Sequence, residues 1–195
     1  MNTYNAITTR RTIRLFDQKP IPPDLLERIL NAGRIAPSAA NRQVLEFILI
    51  HEPDNRDRLF AYLAWGGYVQ PKRNPAPDQR PTAYIIVLIR DKEQTVVNAS
   101  DAGAAMENMI LAAWNENVGA CWIGAVTDRD AVKRQFQIPD THQIFGVLAL
   151  GYPTEQPVME VLQDSVKYWL DDNNRLHVPK RRLSEIIHHE RFEPR

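Results

Sequence analysis

The stretch Thr9-Arg10-Arg11-Thr12-Ile13-Arg14-Leu15-Phe16 combines three arginines and two threonine hydroxyls with three large apolar side chains. Arginine keeps its charge at any working pH, and its planar fork of donors fits a phosphate, to which a threonine hydroxyl can add one short hydrogen bond. If the stretch is extended, Arg10, Thr12 and Arg14 share one face. Two interpretations are open at this point, an anion site built into the wall of the fold and a solvated basic helix end.

Composition favours one soluble domain over residues 1–195, because 44% of the residues are hydrophobic and can bury a sizeable core. The 24 basic and 24 acidic residues cancel, which disfavours nucleic acid or an anionic membrane as a partner, so any anion site must be local. The single cysteine, Cys121, excludes an intramolecular disulfide and fits a reducing compartment. The sequence begins without a signal-peptide layout and contains no apolar run of about 18 residues, so we expect a cytoplasmic protein.

Apolar spacing predicts the main elements of the fold. Helices are predicted over residues 25–33, 54–63, 98–117 and 128–136. Buried strands are predicted over residues 47–50 and 83–89, and the second of these is expected to be covered on both faces. A further strand that ends in a turn is predicted over residues 142–153. The proline-rich stretch 66–81 is predicted to be a loop long enough to act as a lid. Lys72 or Arg73 in it could face a nicotinamide phosphate, although exposure to solvent is the stronger expectation.

Three further stretches carry groups that suit a ligand site, and each also has a plainer interpretation. Residues 36–43 are small and polar, and would otherwise form a serine-capped turn. Residues 119–124 offer backbone amides and glycines that permit close approach, whereas Cys121 and Trp122 are typical of a buried core. The basic run 178–187 would ordinarily be solvated. Metal-ligand spacing is not found, and there is no glycine-rich dinucleotide or phosphate loop.

Residues 10–16 resemble the amino-terminal signature of the nitroreductase family, in which Arg-Arg-Ser-x-Arg-x-Phe is common. Thr12 replaces the serine and keeps its hydroxyl. Residues 36–43 resemble the family run Ala-Pro-Ser-x-x-Asn-x-Gln, although Val44-Leu45 stands where Pro-Trp usually follows. Residues 119–124 resemble the family run that ends in Trp-Ile-Gly, Leu-Gly-Tyr-Pro at 150–153 is frequent in the family, and the basic tail resembles its carboxy-terminal segment.

The resemblance implies an FMN-dependent homodimer with an α+β fold, in which helices flank a central, mostly antiparallel sheet. It implies that the homodimer is intertwined, with the small residues 102–105 at the interface and residues 161–195 as an arm that embraces the partner. The implied FMN contacts fall into four groups. They are Arg10, Arg11, Thr12, Lys180 and Arg182 at the phosphate; Arg14 at the N1–O2 edge; Pro37, Ser38, Asn41 and Gln43 from the partner subunit; and Trp122, Ile123 and Gly124 beside the isoalloxazine.

The activity implied by the resemblance is ping-pong hydride transfer, in which NADH or NADPH reduces the flavin and a nitroaromatic, quinone or activated alkene then accepts the electrons. No side chain is expected to act as an essential general acid, and no metal is expected. The family also contains dehalogenating, dehydrogenating and flavin-consuming branches, so the acceptor stays open. The alternatives are an FMN-binding protein without turnover, used as a sensor or store, and a basic-tailed nucleic-acid module, which the zero net charge disfavours.

Overall fold

The computed structural model describes residues 1–69, 73–90 and 95–194. Within them the helices are Thr3–Thr9 (α1), Pro23–Arg34 (α2), Pro53–Phe60 (α3), Val96–Asn115 (α4) and Arg129–Gln135 (α5). The strands are Phe16–Asp17 (β1), Leu45–Ile50 (β2), Ala83–Ile89 (β3), Gly119–Ile123 (β4), Gln143–Pro153 (β5), Val158–Val161 (β6), Trp169–Leu170 (β7) and Leu176–Lys180 (β8). None of the described helices is long and apolar enough to cross a membrane.

The main sheet is antiparallel throughout. Strand β3 lies between β2 and β5, and β5 also pairs with β4 and, at its carboxyl end, with β1. A second, smaller sheet follows in the carboxy-terminal part of the chain, where β8 pairs with β6 in parallel and with β7 antiparallel. The fold is therefore α+β with a mainly antiparallel sheet, which confirms the predicted class.

Strand β3 is the centre of the molecule, and all seven of its residues are buried. Ile85, Val87 and Ile89 pack into the core that α2 and α4 cover on one face. Its alternate residues face the other core, to which α3 and α5 contribute. Because side chains alternate along a strand, only a strand covered on both faces reads as an unbroken apolar run. The prediction for residues 83–89 is confirmed.

Strand β2 differs from the prediction of a buried strand, because only Ile50 of its six residues is buried. It lies at the edge of the sheet and pairs with β3 alone, so one of its edges has no neighbouring strand among the described residues. The apolar run of residues 47–50 therefore belongs to an edge strand and not to a strand covered on both faces. This leaves Phe47, Ile48 and Leu49 only partly covered.

Helix α1 was not predicted, since only Ala6 of it is buried and it lacks apolar periodicity. It begins at a cap in which the side chain of Asn2 accepts the backbone N–H of Asn5 at 2.8 Å. Helix α4 begins two residues earlier than predicted because Thr95 caps it, accepting the N–H of Asn98 at 3.1 Å. Helix α3 ends three residues early, since Leu63 instead pairs with Val126 in an isolated β-bridge.

Candidate functional site

The basic segment, residues 10–16, lies alongside β4. Thr12 forms a parallel β-bridge with Ala120, and the N–H of Ile13 donates to the carbonyl of Ala120 at 3.0 Å. Ile13 is fully buried against Gly119, where an added Cβ would lie 2.7 Å from Ile13 Cγ1. Only a residue without a side chain permits this approach. The segment is therefore part of the folded wall, as an anion site requires, rather than a solvated helix end.

Arg11 and Thr12 retain hydrogen-bonding capacity within this wall. The Arg11 terminal nitrogens donate to the carbonyls of Arg10 and, at 3.0 Å, of Thr8. The Nε of Arg11 is buried and has no acceptor among the described residues. The hydroxyl of Thr12 also has no hydrogen-bond partner among the described residues. Burial, and then the charge of Arg10, lower the pKa of the Arg11 guanidinium. An unmatched N–H costs about 1–3 kcal/mol, so an anion at this segment would be stabilised by satisfying it.

Glu155 fastens the basic segment to the rest of the molecule. Its Oε1 accepts the backbone N–H groups of Arg14 at 2.5 Å and Leu15 at 3.2 Å. Its Oε2 lies 2.9 Å from Nε of Arg73, and these two side chains are only 7% and 4% exposed. The guanidinium of Arg73 also donates to the carbonyl of Asn174. The Glu155 carboxylate thus joins the amino-terminal segment to the 66–81 loop, and Arg73 links that loop to Asn174 in the carboxy-terminal part of the chain.

The burial of Arg73 corrects the expectation that this residue is solvated. A charge with so little exposure is held by its partner, because leaving it unpaired would be costly. Lys72 lies outside the described residues. The described part of the 66–81 loop is fixed through Arg73, so any opening of the loop as a lid would have to break a buried ion pair. The lid itself stays a prediction.

Arg10 and Arg14 contact different elements. Nε of Arg10 forms an ion pair with Glu107 of α4 at 3.0 Å. The guanidinium of Arg14 instead lies 5.0 Å from the ring centre of Tyr168, and the ring of Tyr168 lies 4.9 Å from that of Tyr68. These contacts do not support a shared face for the two arginines. They place the guanidinium of Arg14 over the ring of Tyr168.

The end of β4 is open to a ligand. Trp122 is 40% exposed, which rules out the plainer interpretation of a buried core residue, and its ring centre lies 5.6 Å from that of Phe145. Its place beside the isoalloxazine stays a prediction. A Cβ at Gly124 would meet no atom within 4 Å, so another molecule can approach the backbone closely there. Ile123 is only 4% exposed, so a ligand would meet its backbone rather than its side chain.

Cys121 is a buried core residue, as its chemistry predicts, and burial raises the pKa of its thiol to about 11. Below that pH the thiol keeps its proton, so at pH 8 the reactive thiolate is rarer than in a free cysteine by about 100-fold. We expect a disulfide reagent to label the folded protein at least about 100-fold more slowly than the protein in urea. Because the chain has one cysteine, absorbance of the released thiol measures this site alone. Equal rates in the two states would contradict the assignment.

The segment 36–43 carries a cluster of strained backbone. Ala40, Asn41 and Gln43 have φ values of 49°, 53° and 49°, a region that side chains disfavour. The hydroxyl of Ser38 accepts the N–H of Gln43 at 3.2 Å and caps no helical turn. The structure therefore differs from the serine-capped turn that was the plainer interpretation of this segment. Pro37, Ser38 and Gln43 line a cavity of about 130 Å³. Strain of this kind persists only where the surroundings hold it, and it is frequent at ligand sites.

The strained segment and the basic segment lie on different sides of α4. The N–H of Ala39 donates to Asp101 at 3.0 Å, and Arg42 donates to Asn98 at 2.7 Å. On the same helix, Glu107 binds Arg10. At 3.6 residues per turn, Glu107 is rotated from Asp101 and Asn98 by about 120° and 180°. One chain therefore holds these two groups of predicted site residues apart.

A model described as the nitroreductase family matches residues 7–152. The chain belongs to the nitroreductase family. It is 29% identical over 175 residues to a candidate NADH dehydrogenase/NAD(P)H nitroreductase of Methanothermobacter thermautotrophicus, covering 88% of this chain and 87% of that protein. It is 25% identical over 162 residues to an NADPH-flavin oxidoreductase of Vibrio harveyi, covering 80% and 68%. A candidate nitroreductase in complex with FMN from Desulfovibrio desulfuricans superposes with a TM-score of 0.71, at 26% identity over 99% of each chain.

In this member of the nitroreductase family, Lys180 and Arg182 belong to the carboxy-terminal part of the chain and are exposed. Lys180 ends β8, and its carbonyl accepts the N–H of Leu162 at 2.8 Å. The N–H of Arg182 donates to Glu185 at 3.2 Å. Their described contacts are thus local, and the predicted role at a phosphate stays a prediction.

Sequence reasoning missed Glu155, Glu107 and Tyr168, the side chains that hold the arginines of this nitroreductase-family site. Glu155 stands two residues after Leu-Gly-Tyr-Pro, so an acidic residue directly beyond a family motif was the available signal. Glu107 lies on the predicted long helix, where a charge normally indicates a solvated face. Nothing in the sequence distinguishes Tyr168 from its neighbours.

Proposed function

We propose that this chain is an FMN-dependent oxidoreductase that takes electrons from NADH or NADPH and reduces a small nitroaromatic, quinone or other activated acceptor. The observation that carries the proposal is the basic segment, which lies in the folded wall beside the open end of β4 with unmatched donors on Arg11 and Thr12. The flavin-dependent names and the FMN complex among the relatives support it. The single free thiol, Cys121, fits action in the cytoplasm.

The residues present fit FMN. Arg10, Arg11 and Thr12 would hold the phosphate, with Lys180 and Arg182 reaching it from the carboxy-terminal segment. Arg10 would share its guanidinium between the phosphate and Glu107, which keeps it oriented. When bound, FMN would supply the hydride chemistry that carries electrons from the nicotinamide to the acceptor.

The protein's own part is placement and charge. The exposed Trp122 and the open backbone of Gly124 would form a wall for the flavin ring, and backbone amides near its N5–O4 edge would orient it. Arg14 would place a positive charge at the N1–O2 edge, where reduction adds negative charge. Glu155 fixes the backbone of Arg14 and so sets where that charge stands.

We further propose that a second copy of the chain completes the site. Pro37, Ser38, Asn41 and Gln43 lie on the side of α4 away from Arg10, so the partner's segment is needed to bring both groups to one flavin. Small residues in α4, Gly103 and Ala104, are half-buried and would allow close approach at the interface. The 161–195 arm would then cover the partner with its exposed apolar side chains, Val161, Val166, Leu183, Ile186 and Phe192.

An absorption spectrum of the purified protein, followed by anaerobic addition of NADH and NADPH, tests the proposed function. We expect a bound flavin whose visible absorbance bleaches with at least one nicotinamide. Bound flavin that neither nicotinamide bleaches would instead indicate a flavin sensor or store. Failure to bind added FMN would overturn the proposal.

Replacing Arg14 with alanine should lower the midpoint potential of bound FMN, because the reduced flavin loses a stabilising charge. A loss of about 1.4 kcal/mol corresponds to about 30 mV for a two-electron couple. Equilibrium titration against a reference dye measures the potential directly. Arg90→Ala is the matched control, since Arg90 is exposed and pairs only loosely with Glu46 at 3.8 Å. An unchanged potential in Arg14→Ala with FMN still bound would remove this role from Arg14.

A further inference from the structure

A second basic cavity lies on the face of the main sheet opposite to α2 and α4, beside the core to which α3 and α5 contribute. It measures about 160 Å³ and is bounded by α3, by the residues that lead into β3 and by Tyr84 on β3 itself. Arg56, Arg80 and Gln18 reach it, and Asp57 is the acidic residue that lines it. At about 30 Å³ for each water molecule, it has room for about five waters or for one small oxyanion.

Both guanidinium groups are oriented by contacts on one side. Nη1 of Arg56 donates to the carbonyl of Pro81 at 3.3 Å, and Nη1 of Arg80 donates to Asp57 at 2.9 Å. Arg80 also lies 4.0 Å above the ring of Phe60, which fixes its plane. Nη2 of Arg56 and Nη2 of Arg80 have no acceptor among the described residues. Two positioned guanidinium groups therefore keep donors for another partner.

Tyr84 adds a neutral donor in the floor of the cavity. The side chain is only 1% exposed, and its hydroxyl has no hydrogen-bond partner among the described residues. Burial raises the pKa of this phenol, so the hydroxyl keeps its proton and can donate. An anion oxygen placed in the cavity could therefore accept a hydrogen bond from this O–H group.

The charge balance of the cavity favours an anion. Arg56 and Arg80 bring two positive charges against the single negative charge of Asp57, whose side chain is 70% exposed and therefore screened by water. The guanidinium N–H groups and the Tyr84 O–H group can donate to the oxygens of a phosphate. Arginine binds phosphate in a defined fork geometry. We propose that this cavity binds a phosphate group, held by Arg56, Arg80 and Tyr84.

Occupation of this site would act on the 66–81 loop. Arg80 and Pro81 connect the end of that loop to β3, and Gln18 also donates to the carbonyl of Arg80 at 2.9 Å. A phosphate bridging Arg56 on α3 and Arg80 on the loop would hold the two elements together. The site is separate from the basic segment and does not depend on flavin binding.

Calorimetric titration of the FMN-saturated protein with inorganic phosphate, against chloride at matched ionic strength, tests the site. FMN occupies the basic segment in this experiment. If the protein binds no FMN, Arg11→Gln removes that competing site instead. We expect saturable binding of one phosphate per chain. A second titration with adenosine monophosphate tests whether the site binds the free ion or the phosphate group of a larger molecule. Tighter binding of the nucleotide than of inorganic phosphate would indicate the phosphate group of a larger molecule.

Tyr84→Phe should weaken phosphate binding about 10-fold, the equivalent of a 1.4 kcal/mol hydrogen bond, without opening the core. Arg80→Gln should abolish measurable binding, and Tyr84→Phe keeps the test decisive if Arg80→Gln does not fold. Arg58→Gln, an exposed arginine on the same helix as Arg56, is the control and should bind phosphate normally. Absence of saturable binding, or equal affinity in Tyr84→Phe and the unaltered protein, would overturn the proposal.

Discussion

Glu155→Gln is expected to lower the free energy of unfolding by about 3–5 kcal/mol, because it removes the carboxylate charge that lies against the buried guanidinium of Arg73. Both side chains of this pair are less than a tenth exposed, so water replaces little of the lost interaction. The glutamine oxygen could still accept the N–H of Arg14, so the change in unfolding free energy reports the loss of the carboxylate charge alone. Urea denaturation followed by circular dichroism measures the change.

The exposed pair between Arg28 and Glu116 supplies the control, since its side chains are 60% and 38% exposed. Glu116→Gln should cost less than about 1 kcal/mol. Adding Arg73→Gln to Glu155→Gln should recover part of the lost stability, because the double variant buries neither charge of the pair. A loss below about 1 kcal/mol in Glu155→Gln would show that the pair is not the buried anchor described above.

Ile13→Ala is expected to lower the free energy of unfolding by about 2–5 kcal/mol, and Ile13→Val by about 0.5–1.5 kcal/mol. Ile13 is fully buried, and its side chain fits against the bare backbone of Gly119. Truncation leaves a cavity under the basic segment, so FMN affinity should fall together with stability in the alanine variant. Denaturation and fluorescence titration with FMN measure the two effects.

Ile7→Ala is the control for that series, because Ile7 precedes the basic segment on α1 and is 48% exposed. It should change stability by no more than about 0.5 kcal/mol and leave FMN affinity unaltered. If Ile13→Ala loses stability but binds FMN normally, the basic segment does not form the phosphate site. That outcome would separate the packing role of Ile13 from the proposed function.

The elements that the sequence predicted well are those determined by local pattern. Strand β3 has an unbroken apolar run, and α2 has apolar residues at helical spacing behind Pro23. The basic segment was recognisable because its arginines and hydroxyls occur together in eight residues. In each case the information lies within one short window of the chain.

The features that the sequence did not predict depend on contacts between distant residues. Solvent exposure was expected for Arg73, and a buried core was the plainer interpretation of Trp122. Instead, Arg73 is buried against Glu155, and Trp122 is 40% exposed. Strand β2 reads as buried because its apolar residues do not reveal that it lies at a sheet edge. Partners brought together by tertiary packing leave no local signal.

The bond from Glu155 to the Arg14 backbone closes a span of 141 residues. Contacts of such long range form only after the chain has lost the entropy of closing that loop, so they tend to arise late in folding. During synthesis the amino-terminal arginines leave the ribosome long before the carboxylate that fixes them. A fragment ending before Glu155 would therefore contain the whole Arg-Arg-Thr motif without the carboxylate that holds its backbone, and cofactor binding would have to follow synthesis of Glu155.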